Sequence, residues 1–276
     1  MQSLRNHNAQ MNAVLPHPVL LTLARPIVLP FVHGRALLRL IRLFLHLAWG
    51  SATIALVFPF IGIARRRWLK QRWSRQLLEV LGVRLQIEGG IAEGLLVANH
   101  VSFLDIYAIN AVAPAAFVSK DEVLGWPVIG WLSRHTETIF LERGSRTAAQ
   151  RTKEHLVAHL SRGDKVALFP EGTTSDGSTV LPFHGALFQA AIDAQVPVTP
   201  IGLRYLDAKG QPSPAPAYIG DISLGQCLWA IACSSGLVVN ISVLPAQATS
   251  QVDRRHLSAH THHAISQILH HPARTT

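Results

Sequence analysis

The sequence predicts an α/β protein: a mostly parallel sheet flanked by helices, preceded by a membrane-associated helical segment. Three observations predict it. From Val83 onward, short apolar runs alternate with longer stretches of helical period, and no internal repeat interrupts them. Alternation of that kind builds a parallel sheet covered on both faces. Upstream, residues 43–64 form a nearly unbroken apolar run, long enough to cross a bilayer once. The whole chain of 276 residues is 49% hydrophobic and only 15% charged, with a mean hydropathy of +0.25, more apolar than an ordinary cytosolic enzyme. The expected division is a disordered tail over 1–17, a membrane-associated helical region over 18–81, and the α/β domain over 82–276.

The elements follow in order. Residues 19–32 are apolar but broken by Arg25, Pro26 and Pro30, so this stretch is expected to lie at an interface without spanning. The 43–64 run has Arg39 and Arg42 before it and Arg65, Arg66 and Arg67 after it, with Trp68 and Trp73 at headgroup-friendly positions. Two readings stay open. It spans once, or it bends near Gly50 or Pro59 and enters a single leaflet. Length favours the first and positive charge at both ends the second. A helix buried in the protein's own core is a third reading, which Pro59 and Gly62 disfavour.

Residues 70–81 read as an amphipathic helix with Trp73, Leu77, Leu78 and Leu81 on one side, ended by Gly82. Strands are expected at 83–88, 94–98, 115–119, 138–141, 165–169, 198–205, 217–220 and 237–244. The helices between them run from Ser102 to about Val112, over 120–135 with breaks at Gly125 and Pro127, and over 145–161, 185–194, 224–233 and 253–269.

The net charge of +9 comes mostly from arginine and suits an anionic partner. The basic residues flank apolar runs and no nucleic-acid motif appears, so a membrane surface is the better fit and no nucleic acid is expected. Cys227 and Cys233 have no metal-type spacing and are expected as buried thiols. The histidines crowding the C-terminal helix lack a nearby carboxylate or cysteine and read as a solvated basic face. No metal is expected.

The candidate chemistry centres on Asn99-His100-(four residues)-Asp105, where an apolar strand hands over to a helix. Five positions are roughly 140° apart on a regular helix, so the two side chains meet only if His100 precedes the helix and folds back over its first turn. Asp105 would then hold one ring nitrogen and leave the other as a base for a hydroxyl. On spacing alone, such a pair is more often a surface contact at a helix start. Arg143 and Arg146 flank Gly144 ahead of a helix, which suits a phosphate pocket, although spacing alone favours a solvated loop. Phe169-Pro170-Glu171-Gly172-Thr173-Thr174 ends a strand in a sharp turn that offers hydroxyls and backbone donors. G-x-S-x-G is absent, which argues against an ordinary α/β-hydrolase.

Taken together, these segments resemble the four motifs of the glycerolipid acyltransferases that acylate lysophosphatidic acid. Asn99-His100-(four residues)-Asp105 is similar to the first and Phe140-Leu141-Glu142-Arg143-Gly144-Ser145-Arg146 to the second. Phe169-Pro170-Glu171-Gly172-Thr173-Thr174-Ser175 is similar to the third and Val196-Pro197-Val198-Thr199-Pro200 to the fourth. The resemblance implies the glycerolphosphate acyltransferase fold and direct transfer from acyl-CoA or an acyl carrier protein thioester to the acceptor hydroxyl, with no other cofactor. It implies His100 as base oriented by Asp105. Asn99, Arg143, Arg146, Glu171, Gly172, Thr173, Thr174, His184 and Pro200 would be on the substrate-binding side. Arginine would take the acceptor's phosphate, Glu171 would face a donor such as an arginine, and Pro200 would shape the acyl channel. Many relatives carry lysine where this chain has His184, which leaves that phosphate contact open. The implied location is the inner membrane, catalytic domain toward the cytoplasm. Two alternatives remain: acylation of another lysolipid, such as a lyso-ornithine lipid, and a non-catalytic lipid-binding membrane protein.

Overall fold

The structure is a computed structural model describing residues 25–125, 129–141 and 146–270. The tail expected over 1–17 and the arginine at 143 lie outside the described residues. In chain order the elements are α1 (Arg25–Leu56), α2 (Ile63–Leu81), β1 (Arg84–Gly89), β2 (Leu95–Ala98), α3 (Leu104–Val112), β3 (Ala116–Lys120), α4 (Ile129–His135), β4 (Ile139–Leu141), α5 (Arg146–Ser161), β5 (Val166–Leu168), α6 (Phe188–Asp193), β6 (Val198–Leu206), α7 (Leu224–Cys233), β7 (Val238–Val243) and α8 (Arg254–His270). The strands form a seven-stranded sheet in the order β1-β7-β6-β2-β5-β3-β4. Every neighbouring pair is parallel except β6 and β7.

β2 explains why the sheet is two-sided. All four of its residues are buried. Leu96 and Ala98 face the cluster shared with α2, α3 and α7, whereas Leu95 and Val97 face the cluster shared with α5, α6 and α8. A strand covered on both faces reads as a continuous apolar run. It lies between β5 and β6, so the residues following it emerge at the carboxyl edge of the sheet's centre.

The N-terminal region departs from expectation in one respect. The interrupted stretch and the apolar run form one helix, α1, which carries Pro30 in its second turn. The chain then reverses through a short 3-10 turn at Phe58–Phe60 and returns as α2, so the break falls at Pro59. The two helices make a close antiparallel pair. His46 stacks on Trp73 with ring centroids 4.7 Å apart, and Trp73 Nε1 donates to the His46 carbonyl at 3.2 Å. A Cβ at Gly50 would lie 2.4 Å from Trp73 Nε1, so only glycine allows this approach.

Two sets of side chains tie this hairpin to the domain. Arg35 and Arg39 donate to the carbonyls of Ala232, Cys233 and Ser234 at the end of α7, where cations complement the helix dipole. On α2, Arg67 bridges Glu137 and Asp164 at 2.6 and 2.7 Å, and Lys70 joins Glu137 at 3.1 Å.

One predicted strand is absent. Residues 217–220 are a loop rather than a strand, because their backbone is used elsewhere. The N–H of Tyr218 donates to the Val101 carbonyl, and its own carbonyl accepts from Thr174 Oγ1.

Candidate active site

β2 ends at Ala98 and α3 begins at Leu104, and the chain between them builds the site. The Asp105 carboxylate, in the first turn of α3, turns back over the helix start. Its Oδ2 accepts from the N–H groups of Val101 and Ser102 at 2.7 and 2.9 Å and from His100 Nδ1 at 2.9 Å. Backbone donors of the segment just before the helix thus hold the acid in place. The 140° separation does not apply, because His100 precedes the helix. Asp105 is fully buried, whereas the His100 side chain is 19% exposed. The imidazole lies flat on Phe169, centroids 4.0 Å apart and planes 9° apart. Its Nε2 has no partner among the described residues.

Phe169 arrives from β5, parallel to β2 and hydrogen-bonded to it. The two strand ends therefore deliver the histidine and its stacking partner side by side. The following residue pair crosses back. Glu171 Oε1 accepts from the His100 N–H at 2.8 Å and Oε2 from the Leu181 N–H at 3.1 Å. Burial pushes the Glu171 carboxyl above its ordinary range, with the two N–H donors opposing it. Its donors are thus backbone amides rather than an arginine. Ser175 closes the loop, its N–H and Oγ both donating to the His100 carbonyl.

Two buried residues brace this loop from β6. The Asn99 amide completes a strand-like pair with Leu203, donating to its carbonyl at 3.0 Å and accepting from its N–H at 2.7 Å. Tyr205 Oη donates to Asp105 Oδ1 at 2.7 Å. Burial and the adjacent carboxylate push that phenol well above its ordinary pKa, which keeps the proton on oxygen and the group a donor. Sequence reasoning missed Tyr205. Alternation along β6 puts it on the buried side with Leu203, and a buried tyrosine hydroxyl needs a partner, but nothing in the sequence says which.

The remaining candidates divide. Gly172 has φ of +69°, a left-handed turn, and the exposed His184 ring lies over it. Thr173 is exposed beside them, while Thr174 is turned to the Tyr218 carbonyl. Pro200 is buried in β6, opposite Val97. Arg146 opens α5. Among the described residues, no group of three or more His, Cys, Asp or Glu side chains is placed to hold a metal ion.

The arrangement is a histidine–carboxylate pair at the carboxyl edge of a parallel sheet, in a stretch of sequence similar to known proteins. The family described as Acyltransferase matches residues 86–204, which include His100, Asp105 and Glu171. A 1-acyl-sn-glycerol-3-phosphate acyltransferase of Neisseria meningitidis serogroup B is 39% identical over 186 residues, covering 66% of this chain and 72% of the relative. The chain belongs to the acyltransferase family. This acyltransferase is also similar to a lyso-ornithine lipid O-acyltransferase of Pseudomonas aeruginosa, 34% identical over 232 residues that cover 83% of this chain and 89% of the relative. In fold it is similar to the crystal structure of the 1-acyl-sn-glycerophosphate acyltransferase of Thermotoga maritima. That match has a TM-score of 0.60 at 22% identity and covers 86% of this chain and 99% of the other.

Proposed function

We propose that this acyltransferase moves an acyl chain from an acyl-CoA or acyl carrier protein thioester to the free hydroxyl of 1-acyl-glycerol-3-phosphate, giving phosphatidic acid. The single observation that carries the mechanism is the 2.9 Å contact between His100 Nδ1 and the buried Asp105 carboxylate. An acceptor-only carboxylate accepts the hydrogen bond of Nδ1–H, which keeps the proton on Nδ1 and leaves a lone pair on Nε2. Nε2 removes the proton of the acceptor hydroxyl as its oxygen attacks the thioester carbonyl. The tetrahedral intermediate collapses with loss of the thiolate, which regains the proton from the imidazolium. The acceptor attacks directly, so no acyl-enzyme forms. Arg143 and Arg146 would hold the acceptor's phosphate, with Gly172, Thr173 and His184 near its glycerol. Glu171, Asn99 and Thr174 act through the loop they brace.

The acceptor is a membrane lipid, and α1 is the contact. From Phe31 to Phe60, Arg42 is the sole exposed Lys, Arg, Asp or Glu, while Leu38, Ile41, Leu45, Trp49 and Leu56 form one exposed stripe. The helix is long and apolar enough to cross a bilayer, yet its attachments favour a single leaflet. It is held to the domain at Arg35 and Arg39 and to α2 at His46 and Gly50. Beyond Gly50, residues 51–62 reach only about 18 Å at 1.5 Å per residue, short of the roughly 30 Å hydrocarbon core. An interfacial helix on the cytoplasmic side of the inner membrane fits, where both thioester donors are found.

A second acceptor has specific support: the lyso-ornithine lipid relative covers more of this chain than the Neisseria one does. A panel of lysolipids offered to the purified protein separates them. The reading expects lysophosphatidic acid to be preferred and His100→Ala to abolish transfer while folding and vesicle binding persist. A preference for a phosphate-free acceptor overturns the substrate, and transfer at the parent rate in His100→Ala overturns the mechanism.

A further inference from the structure

We infer that the loop over 219–223 and α7 form a second lipid contact, a shoulder beside α1 that seats the mouth of the active site on the membrane surface. This rests on reading α1 as an interfacial helix. Continuity is the first argument. Trp229 of α7 lies against His33 of α1, ring centroids 5.6 Å apart, so α7 sits directly beside α1 and its exposed apolar side chains.

Composition is the second. Between Ala217 and Cys233, Asp221 is the sole charged side chain, and Ile219, Ile222 and Trp229 are 36%, 40% and 41% exposed. An acidic carrier protein would need cations here, and a water-facing helix would carry charges on its outer side. An exposed tryptophan flanked by aliphatic side chains instead suits the headgroup boundary of a bilayer.

The third argument concerns backbone polarity. Helix ends exposed to lipid are costly unless their N–H and C=O groups have partners. At α7 both ends are served from within the protein. Ser223 and Gln226 form a reciprocal capping box at its start, which also occupies the polar Gln226 side chain. Arg35 and Arg39 donate to the carbonyls at its end. The helix therefore meets lipid with little further desolvation.

The shoulder also explains the loop that replaces the expected strand. Tyr218, one residue before Ile219, holds both the Val101 carbonyl beside His100 and Thr174 of the third motif. Contact at Ile219 and Ile222 would place the catalytic edge at the lipid surface, so an acceptor could move from bilayer to His100 without crossing water.

The test uses the full chain with Cys227→Ser and Cys233→Ser. An environment-sensitive fluorophore is placed in turn at Ile222→Cys, Phe44→Cys and Lys209→Cys, and phosphatidylethanolamine/phosphatidylglycerol vesicles are added. The expected result is a blue shift at 222 and 44 and none at the exposed Lys209. A shift at 44 without one at 222 overturns the shoulder and leaves the α1 reading standing. No shift at either overturns both, and shifts at all three overturn the shoulder as a specific contact. A concentration-dependent shift at 222 without vesicles assigns the surface to a second copy and overturns the lipid contact. Should the serine replacements reduce yield, quenching by brominated lipids is compared in the parent and Trp229→Phe, and equal quenching overturns the shoulder. In kinetics, Ile222→Asp is expected to raise the KM for vesicle-presented acceptor about tenfold and leave turnover of a soluble short-chain acceptor unchanged. Equal loss on both acceptors counts against the shoulder.

Discussion

Tyr205→Phe isolates one hydrogen bond. The ring is 4% exposed and Asp105 is fully buried, so phenylalanine keeps the packing and deletes only the donor to Oδ1. That oxygen has no other donor among the described residues, because the two backbone N–H groups and His100 all address Oδ2. A hydrogen bond to a charged group contributes about 1.5–3 kcal/mol, so urea unfolding should show a loss of that size. A carboxylate held on one oxygen alone can rotate, and the imidazole it orients rotates with it. Turnover should fall about tenfold, as expected for about 1.4 kcal/mol of lost transition-state stabilisation. The KM of both substrates should stay put, because Tyr205 touches neither. The decisive measurement is a double-mutant cycle on stability with Asp105→Ala. If Tyr205 acts through Asp105, Tyr205→Phe costs nearly nothing in the Asp105→Ala background. Additive losses, or parent turnover in Tyr205→Phe, would refute the reasoning.

Three further substitutions probe the supports around this centre. Glu171→Gln puts an amide N–H₂ against one of two backbone N–H groups; a stability loss of about 1–3 kcal/mol and a fall in kcat are expected, and parent kinetics would remove the bracing role. Glu137→Gln leaves Lys70 short of its carboxylate partner and should cost about 2–4 kcal/mol at neutral pH by urea unfolding. Burial opposes ionisation of Glu137 and Asp164, but Arg67 with Lys70 on one, and Arg67 with His159 on the other, hold both carboxyls below their usual range. Their contribution is therefore full above the unfolded carboxyl values near about 4 and is lost as the pH falls through the lower folded values. The parent should lose stability more steeply than Glu137→Gln in acid, and parallel curves would argue against it. Gly50→Val drives a side chain into Trp73 and should destabilise the α1–α2 pair by about 1–3 kcal/mol, read as a change in tryptophan emission and in the urea midpoint.

Much of the architecture was legible in the residue pattern, because burial repeats with the period of the element. β2 is apolar throughout since both its faces are covered, and the expected helix over 224–233 coincides with α7. The one false strand, over 217–220, shows the limit of period: an apolar run says that side chains are sheltered, not whether the backbone pairs with a strand or with two loops. α1 shows another. Arg25, Pro26 and Pro30 break its apolar pattern and argue for an interruption, yet α1 runs through all three: Pro26 falls in the first turn, where a proline costs little, and Pro30 lies inside the helix.

The candidate site divides the same way. His100, Asp105 and the turn at Glu171 stand out in the sequence because four motifs occur together in order; the spacing of the pair alone would also describe a surface contact. Which groups hold them was decided by tertiary structure alone. The donor to Asp105 Oδ1 comes from Tyr205, and the pair that seats Asn99 comes from Leu203, each about a hundred residues away in the chain. The Glu171 carboxylate meets backbone amides that carry no sequence identity at all. Hydrogen-bond partners across strands depend on strand order and register, and these follow from the packing of every element at once, which no local window of the chain encodes.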